Sequence, residues 1–124
     1  MNVFILEDSL PIQHRLTRFI GELPSMNIVG ICAEVAHSYD KIVSCASEAV
    51  ILDLQLSDGN SLPLLKQIKS NHPEIHVMVL SNHSNESNRM LALRAGADLF
   101  LDKSTSFEEI PQVLLAWQKT IPRL

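Results

Sequence analysis

Short, almost wholly apolar runs alternate along this chain with longer stretches whose apolar residues recur at helical spacing. The runs are Val3 to Leu6, Ile28 to Ala33, Ala49 to Leu52, Val77 to Leu80 and a short one from Asp98 to Leu101. The first, third and fourth runs are nearly all apolar, which fits strands covered on both faces rather than strands with one wet side. Between them lie helical stripes: Ile12, Leu16, Phe19, Ile20 and Leu23; then Tyr39, Ile42, Val43 and Ala46; then Leu62, Leu65 and Ile68. A fourth helix is expected from a cap at Ser84 to about Arg94, stopped at Gly96. A fifth carries Ile110, Val113, Leu114 and Trp117 behind a capping box of Ser106 and Glu109. Pro11 suits a first helical turn, while Leu23-Pro24-Ser25, Ser57 to Asn60 and Asn71-His72-Pro73 read as breaks. Strict alternation of this kind predicts an α/β three-layer sandwich: a five-stranded parallel sheet with five helices and right-handed crossovers.

At 124 residues and 46% apolar composition, the chain suits one domain, 1–124, with a substantial core. Ten basic residues against fourteen acidic ones give a net charge of -4 with no dense basic run. That balance argues against direct nucleic-acid binding by this domain. No apolar stretch approaches the roughly 20 residues of a membrane span, and MNVFILEDS lacks the features of a signal peptide. A cytoplasmic location follows as the expectation, with Cys32 and Cys45 as reduced thiols. His14, His37, His72, His76 and His83 show no metal-ligand spacing, and Trp117 and Tyr39 read as packing residues.

Ligands of open parallel sheets bind beyond the carboxyl ends of the strands. There the sequence places Glu7-Asp8 after the first strand, Asp53 after the third, Ser81 after the fourth and Lys103 just past the fifth. A flavodoxin-like order, 2-1-3-4-5, sets the first and third strands side by side, so Glu7, Asp8 and Asp53 share one pocket. Three carboxylates repel one another unless a cation joins them, and Mg²⁺ with its oxygen ligands is the natural partner. Lys103 and Ser81 add an ammonium and a hydroxyl suited to phosphoryl oxygens, and Asp53 is a candidate nucleophile. Taken singly, each residue also has an ordinary reading: Asp8 or Ser9 as a helix cap, Ser81 as a loop cap, Lys103 as a surface lysine, Phe100 as core.

In this setting the chain resembles, over essentially its whole length, the receiver domain of bacterial two-component response regulators. The acidic pair matches Glu7 and Asp8; the phosphoacceptor matches Asp53 in VILDLQLSDG; the Ser/Thr switch position matches Ser81 in VMVLSN. Phe100 matches the aromatic switch position and Lys103, in LFLDKS, the lysine; AGAD before the last strand is also typical. The resemblance implies direct Mg²⁺ ligation by Asp8 and Asp53, with Glu7 acting through water and Gln55 contributing its backbone carbonyl. It implies phosphoryl contacts from Lys103 and Ser81, and an inward swing of Phe100. It further implies phosphoryl transfer from a sensor histidine kinase or histidine phosphotransferase docked on the first helix, near His14, Arg15, Leu16 and Arg18. A downstream protein would read the face of helix 4, strand 5 and helix 5, near Arg89, Arg94 and Ser104 to Ser106. Such a domain is not an enzyme in the ordinary sense, although it assists its own phosphorylation and dephosphorylation.

The departures are local. Ser104 follows the lysine where the family usually has proline, which disfavours a cis bond there; receivers attached to helix-turn-helix regulators often share this, and GADLFLDKS resembles them. Asn82 is larger than the usual residue after Ser81, and Gln55 and His83 stand where the family tunes phosphate lifetime. The chain is thus expected to be a receiver, either stand-alone or from a protein with a DNA-binding output domain. Rival readings fit less well. A flavin module needs a phosphate loop where Glu7-Asp8 stands, and a haloacid-dehalogenase-type phosphatase needs an acid where Gln55 stands. A degenerate receiver, binding partners without phosphorylation, is the alternative.

Overall fold

The computed structural model describes residues 1–82 and 85–122. Its elements follow in the order β1 (Asn2–Leu6), α1 (Leu10–Gly21), β2 (Asn27–Cys32), α2 (Ser38–Ser44), β3 (Ala49–Asp53), β4 (Gln55–Leu56), β5 (Gly59–Asn60), α3 (Leu62–Asn71), β6 (His76–Ser81), α4 (Glu86–Arg94), β7 (Leu99–Asp102) and α5 (Ile110–Thr120). A single 3₁₀ turn, Phe107–Glu109, leads into α5. The main sheet is parallel, in the order β2-β1-β3-β6-β7. This is the expected 2-1-3-4-5 arrangement, with β6 and β7 as the fourth and fifth sequence runs.

Alternation along the strands divides the core in two. Val3, Ile5, Ala49, Ile51, Met78, Leu80 and Leu101 face Leu16 and Ile20 of α1 and Ile110 and Leu114 of α5. Phe4, Leu6, Val50, Leu52, Val77 and Val79 face Ile42 of α2, Leu65 and Ile68 of α3 and Ala92 of α4. Every residue of β3 is buried, as a central strand with both faces covered requires. Where β1 crosses β2, a Cβ on Gly30 would stand 2.5 Å from Phe4 Cε2, so the Phe4 ring lies directly on bare backbone.

Proline occupies the first turn of α1, α3 and α5, where its missing N–H has no partner to lose. Two expected caps differ. The α4 cap is Asn85, whose side chain accepts from Asn88 N at 2.8 Å; Ser84 lies outside the described residues. The Ser106–Glu109 capping box does not form. The 3₁₀ turn already satisfies Glu109 N–H on the Ser106 carbonyl at 3.0 Å, and neither side chain caps. The antiparallel β4–β5 hairpin was not expected: strands of two residues carry no periodic signal. Among the described residues no helix is long and apolar enough to cross a membrane. Cys32 and Cys45 are free thiols, half-buried beside the α2–α3 half of the core.

Candidate functional site

Parallel alignment of β1, β3, β6 and β7 brings their carboxyl ends to one edge, where Leu6 registers with Leu52, Asp53 with Leu80 and Ser81 with Asp102. The residues that follow crowd the same space. Glu7, Asp8 and Asp53 each offer a carboxylate oxygen within 4.8 Å of the others. Glu7 and Asp53 are buried, whereas Asp8 is exposed. From the far side, Lys103 Nζ donates to Glu7 Oε1 at 2.7 Å and to Asp53 Oδ2 at 2.8 Å. Lys103 is itself buried, and its backbone N–H is tied to the Ser81 carbonyl at 3.1 Å, which fixes where the ammonium enters.

Three carboxylates against one ammonium leave an excess of negative charge. Burial, together with the neighbouring Asp53, pushes the Glu7 carboxyl up to about 8 against the pull of Lys103. Burial pulls Lys103 down, but its hydrogen bonds to Asp53 and Glu7 outweigh that and hold the ammonium above its ordinary range. Glu7 Oε2 is buried with no hydrogen-bond partner. A bare buried carboxylate oxygen beside a second carboxylate is relieved by a proton or by a cation. A hard divalent ion with oxygen ligands fits this donor set.

Asp53 is held on both oxygens, by Lys103 on Oδ2 and by the Gln55 N–H on Oδ1 at 3.2 Å. Gln55 itself lies exposed in β4, two residues beyond Asp53. Ser81 is buried at the end of β6, its carbonyl accepting from Lys103 N–H; Asn82 is exposed next to it, and His83 lies outside the described residues. The peptide between Lys103 and Ser104 is trans. Phe100 is already buried among the α3–α4 core residues, so in this state it has no outer position from which to swing. Leu16 points into the core with no exposure, which corrects its place on an α1 docking face; His14, Arg15 and Arg18 are exposed there. Arg15 lies with its guanidinium 4.2 Å from the centre of the Phe107 ring. Arg89, Arg94 and Ser104 are also exposed.

Two residues at the site escaped the sequence reading. Ser61, fully buried, donates from Oγ to the Asp53 carbonyl at 2.6 Å and fastens the chain beyond Asp53. Asp58, read only as turn chemistry, accepts from Val35 N at 2.9 Å and Ala36 N at 3.1 Å. The cluster Ser57 to Ser61 carried the one available signal, since such side chains commonly bond nearby backbone.

The model of the response regulator receiver domain matches residues 3–115. Among characterised relatives, the DNA-binding transcriptional activator DevR/DosR of Mycobacterium tuberculosis is 23% identical over 114 residues, covering 92% of this chain and 52% of that protein. Response regulator MprA of Mycobacterium avium is 27% identical over 114 residues, covering 89% and 47%. The chain therefore spans about half the length of the curated relatives it matches. The isolated receiver domain of RcsB from Salmonella enterica superposes with a TM-score of 0.87 at 21% identity, covering 99% of this chain and 91% of that one. The response regulator domain of Thermotoga maritima CheB gives 0.81 at 22% identity, covering 99% and 98%. At these identities the structural likeness speaks for the fold.

Proposed function

This chain belongs to the response regulator receiver domain family, and from that footing we propose that residues 1–124 form a phosphorylation-controlled switch of a two-component system. Asp53 takes a phosphoryl group from a phosphohistidine on a histidine kinase or phosphotransferase. The observation that carries this reading is the placement of Asp53: buried at the end of the central strand, within 4.8 Å of Glu7 and Asp8, and gripped by Lys103.

In the transfer, an Asp53 carboxylate oxygen attacks phosphorus as the bond to the donor imidazole nitrogen breaks, and that nitrogen keeps the electron pair. Lys103 Nζ passes from Asp53 Oδ2 to a phosphoryl oxygen, and the Ser81 hydroxyl moves toward another. Gln55 N–H keeps the acceptor oriented from its other oxygen. Glu7, Asp8, Asp53 and the Gln55 carbonyl are the groups that would hold Mg²⁺, which neutralises charge on the transferring group when bound. Rearrangement of Ser81 against the already buried Phe100 biases the face of α4, β7 and α5, where Arg89, Arg94 and Ser104 stand ready for a downstream protein. The exposed side of α1, with His14, Arg15 and Arg18, is the docking face for the donor. Receiver domains are not classical enzymes; this one assists its own phosphorylation and hydrolysis, and it works in the cytoplasm. Gln55, Asn82 and His83 set the phosphate lifetime, and an unchanged lifetime in a Gln55→Ala, His83→Ala double variant would remove that role.

Intact mass after incubation with acetyl phosphate and Mg²⁺ tests the reading. One phosphoryl group is gained by the wild type and none with EDTA or in Asp53→Asn. No gain with Mg²⁺ still bound points to Asn82 blocking a small donor, to be repeated with phosphohistidine protein. No gain and no Mg²⁺ binding makes the domain a phosphorylation-independent binding module.

A further inference from the structure

The β4–β5 hairpin, two residues per strand, begins directly beyond Asp53 and carries Gln55. So short a hairpin is not stable by itself and needs fastening. Its base is fastened by Ser61, whose N–H donates to the Leu54 carbonyl at 3.0 Å and whose hydroxyl donates to that of Asp53. Its turn is fastened through Asp58, an exposed residue. Each Asp58 oxygen takes one backbone N–H, Oδ1 from Val35 and Oδ2 from Ala36, across more than 20 residues of sequence. The receiving loop is itself rigidly built: Ser38 Oγ donates to the Val35 carbonyl at 2.5 Å, and His37 takes a left-handed conformation with φ 62. Upstream, that loop leaves β2 at Cys32, whose carbonyl accepts from Glu7 N at 2.9 Å. The contacts close a ring that runs from Glu7 through Cys32 and Val35 to Asp58, back along the hairpin to Gln55, and on to Asp53.

We propose that Asp58 is a positioning residue of the phosphorylation site: its two-pronged carboxylate locks the Gln55 hairpin to the β2–α2 loop and so fixes where the Gln55 backbone stands beside Asp53 and the Glu7-Asp8 pair. A carboxylate suits this role because each N–H is accepted on its own charged oxygen; asparagine would have to take both on one neutral oxygen and binds them more weakly. The residue acts through others and touches neither metal nor phosphoryl group. This inference rests on the phosphoacceptor reading above.

Calorimetric titration with Mg²⁺ and acetyl phosphate kinetics on Asp58→Ala, Asp58→Asn and Asp98→Ala test it. Asp98 is the control: its Oδ2 also accepts a backbone N–H, from Val77 at 2.7 Å, but at the opposite edge of the sheet. Removal of a group that orients metal ligands typically costs ten- to a hundredfold in affinity, so Asp58→Ala is expected to weaken Mg²⁺ binding about tenfold, and Asp58→Asn less. Phosphorylation falls in parallel at low Mg²⁺ and recovers at saturation. Asp98→Ala loses thermal stability and binds Mg²⁺ as the wild type does. An Asp58→Ala protein with wild-type affinity, or an Asp98→Ala protein weakened equally, overturns the proposal. Loss of Mg²⁺ binding in the wild type itself would instead remove the phosphoacceptor reading, and the clamp's role with it.

Discussion

Lys103 Nζ and Asp53 Oδ2 lie 2.8 Å apart across 50 residues of chain. Asp53 is thus engaged by a buried ammonium that also holds Glu7. Removing one partner of a buried ion pair costs about 3–5 kcal/mol because the other is left uncompensated. Lys103→Met is expected to lose stability on that scale at pH 8.5 without Mg²⁺, and clearly less at pH 5, where Glu7 is protonated. Denaturant unfolding at the two pH values checks this.

Asp53→Asn removes one of three crowded carboxylates while leaving Lys103 its bond to Glu7. Metal-free Asp53→Asn is expected to unfold at or above the wild-type temperature, and to gain less than the wild type on adding Mg²⁺. Calorimetric melting with and without Mg²⁺ decides; a variant less stable than the wild type in EDTA would contradict it.

The pH dependence has two windows of opposite sign. Glu7 is raised from 4.5 to about 8, so the folded state holds its proton more tightly than the unfolded chain. Its contribution is fully present below 4.5 and is lost as pH rises through about 8. In EDTA, stability is expected to decline over that interval, and Glu7→Gln to flatten the decline. Asp58 is shifted the other way, held below its ordinary 3.8 by the Val35 and Ala36 N–H groups. Its contribution is present above 3.8 and disappears only as pH falls below that value. Melting temperatures from pH 2.5 to 9 separate the two.

Gly30→Ala drives a methyl into the Phe4 ring, 2.5 Å from Cε2. Overpacking of this kind costs about 1–3 kcal/mol. Gly30→Ala combined with Phe4→Leu is expected to recover part of the loss, and a double-mutant cycle in urea measures the coupling.

On α1, replacing exposed Arg15 and Arg18 with glutamate is expected to slow transfer from phosphohistidine protein while sparing acetyl phosphate. Leu16→Ala differs: as a fully buried residue it costs about 2–5 kcal/mol of stability and affects both donors alike. Equal loss with both donors in the arginine variant would take the docking face off α1.

Much of the fold was legible because its signals are local and repeated. Short apolar runs marked all five strands of the main sheet, and the polar residues beyond four of them, all but the second, marked the edge that holds the site. Glu7, Asp8, Asp53 and Lys103 were therefore readable from position alone, and the structure brings them together. What escaped depends on backbone partners, which have no letter in a sequence. The turn chemistry of Ser57 to Asn60 was plain, but not that Asp58 reaches Val35 and Ala36. Helical spacing already grouped Leu16 with Ile12, Phe19 and Ile20 on the apolar side of α1, and its placement on a docking face went against that stripe. The capping box failed because a 3₁₀ turn satisfies the same N–H from the main chain.

The ion pair between Glu7 and Lys103 joins residues 96 positions apart, one from the first strand and the other from beyond the last. A chain emerging from the ribosome presents Glu7 long before Lys103, so the cluster of acids and ammonium is incomplete until the last strand of the main sheet has been made. A phosphoryl mark on Asp53 would then vouch for the carrier as well as the stimulus: only a copy that has completed its fold has an address at which the message can be left.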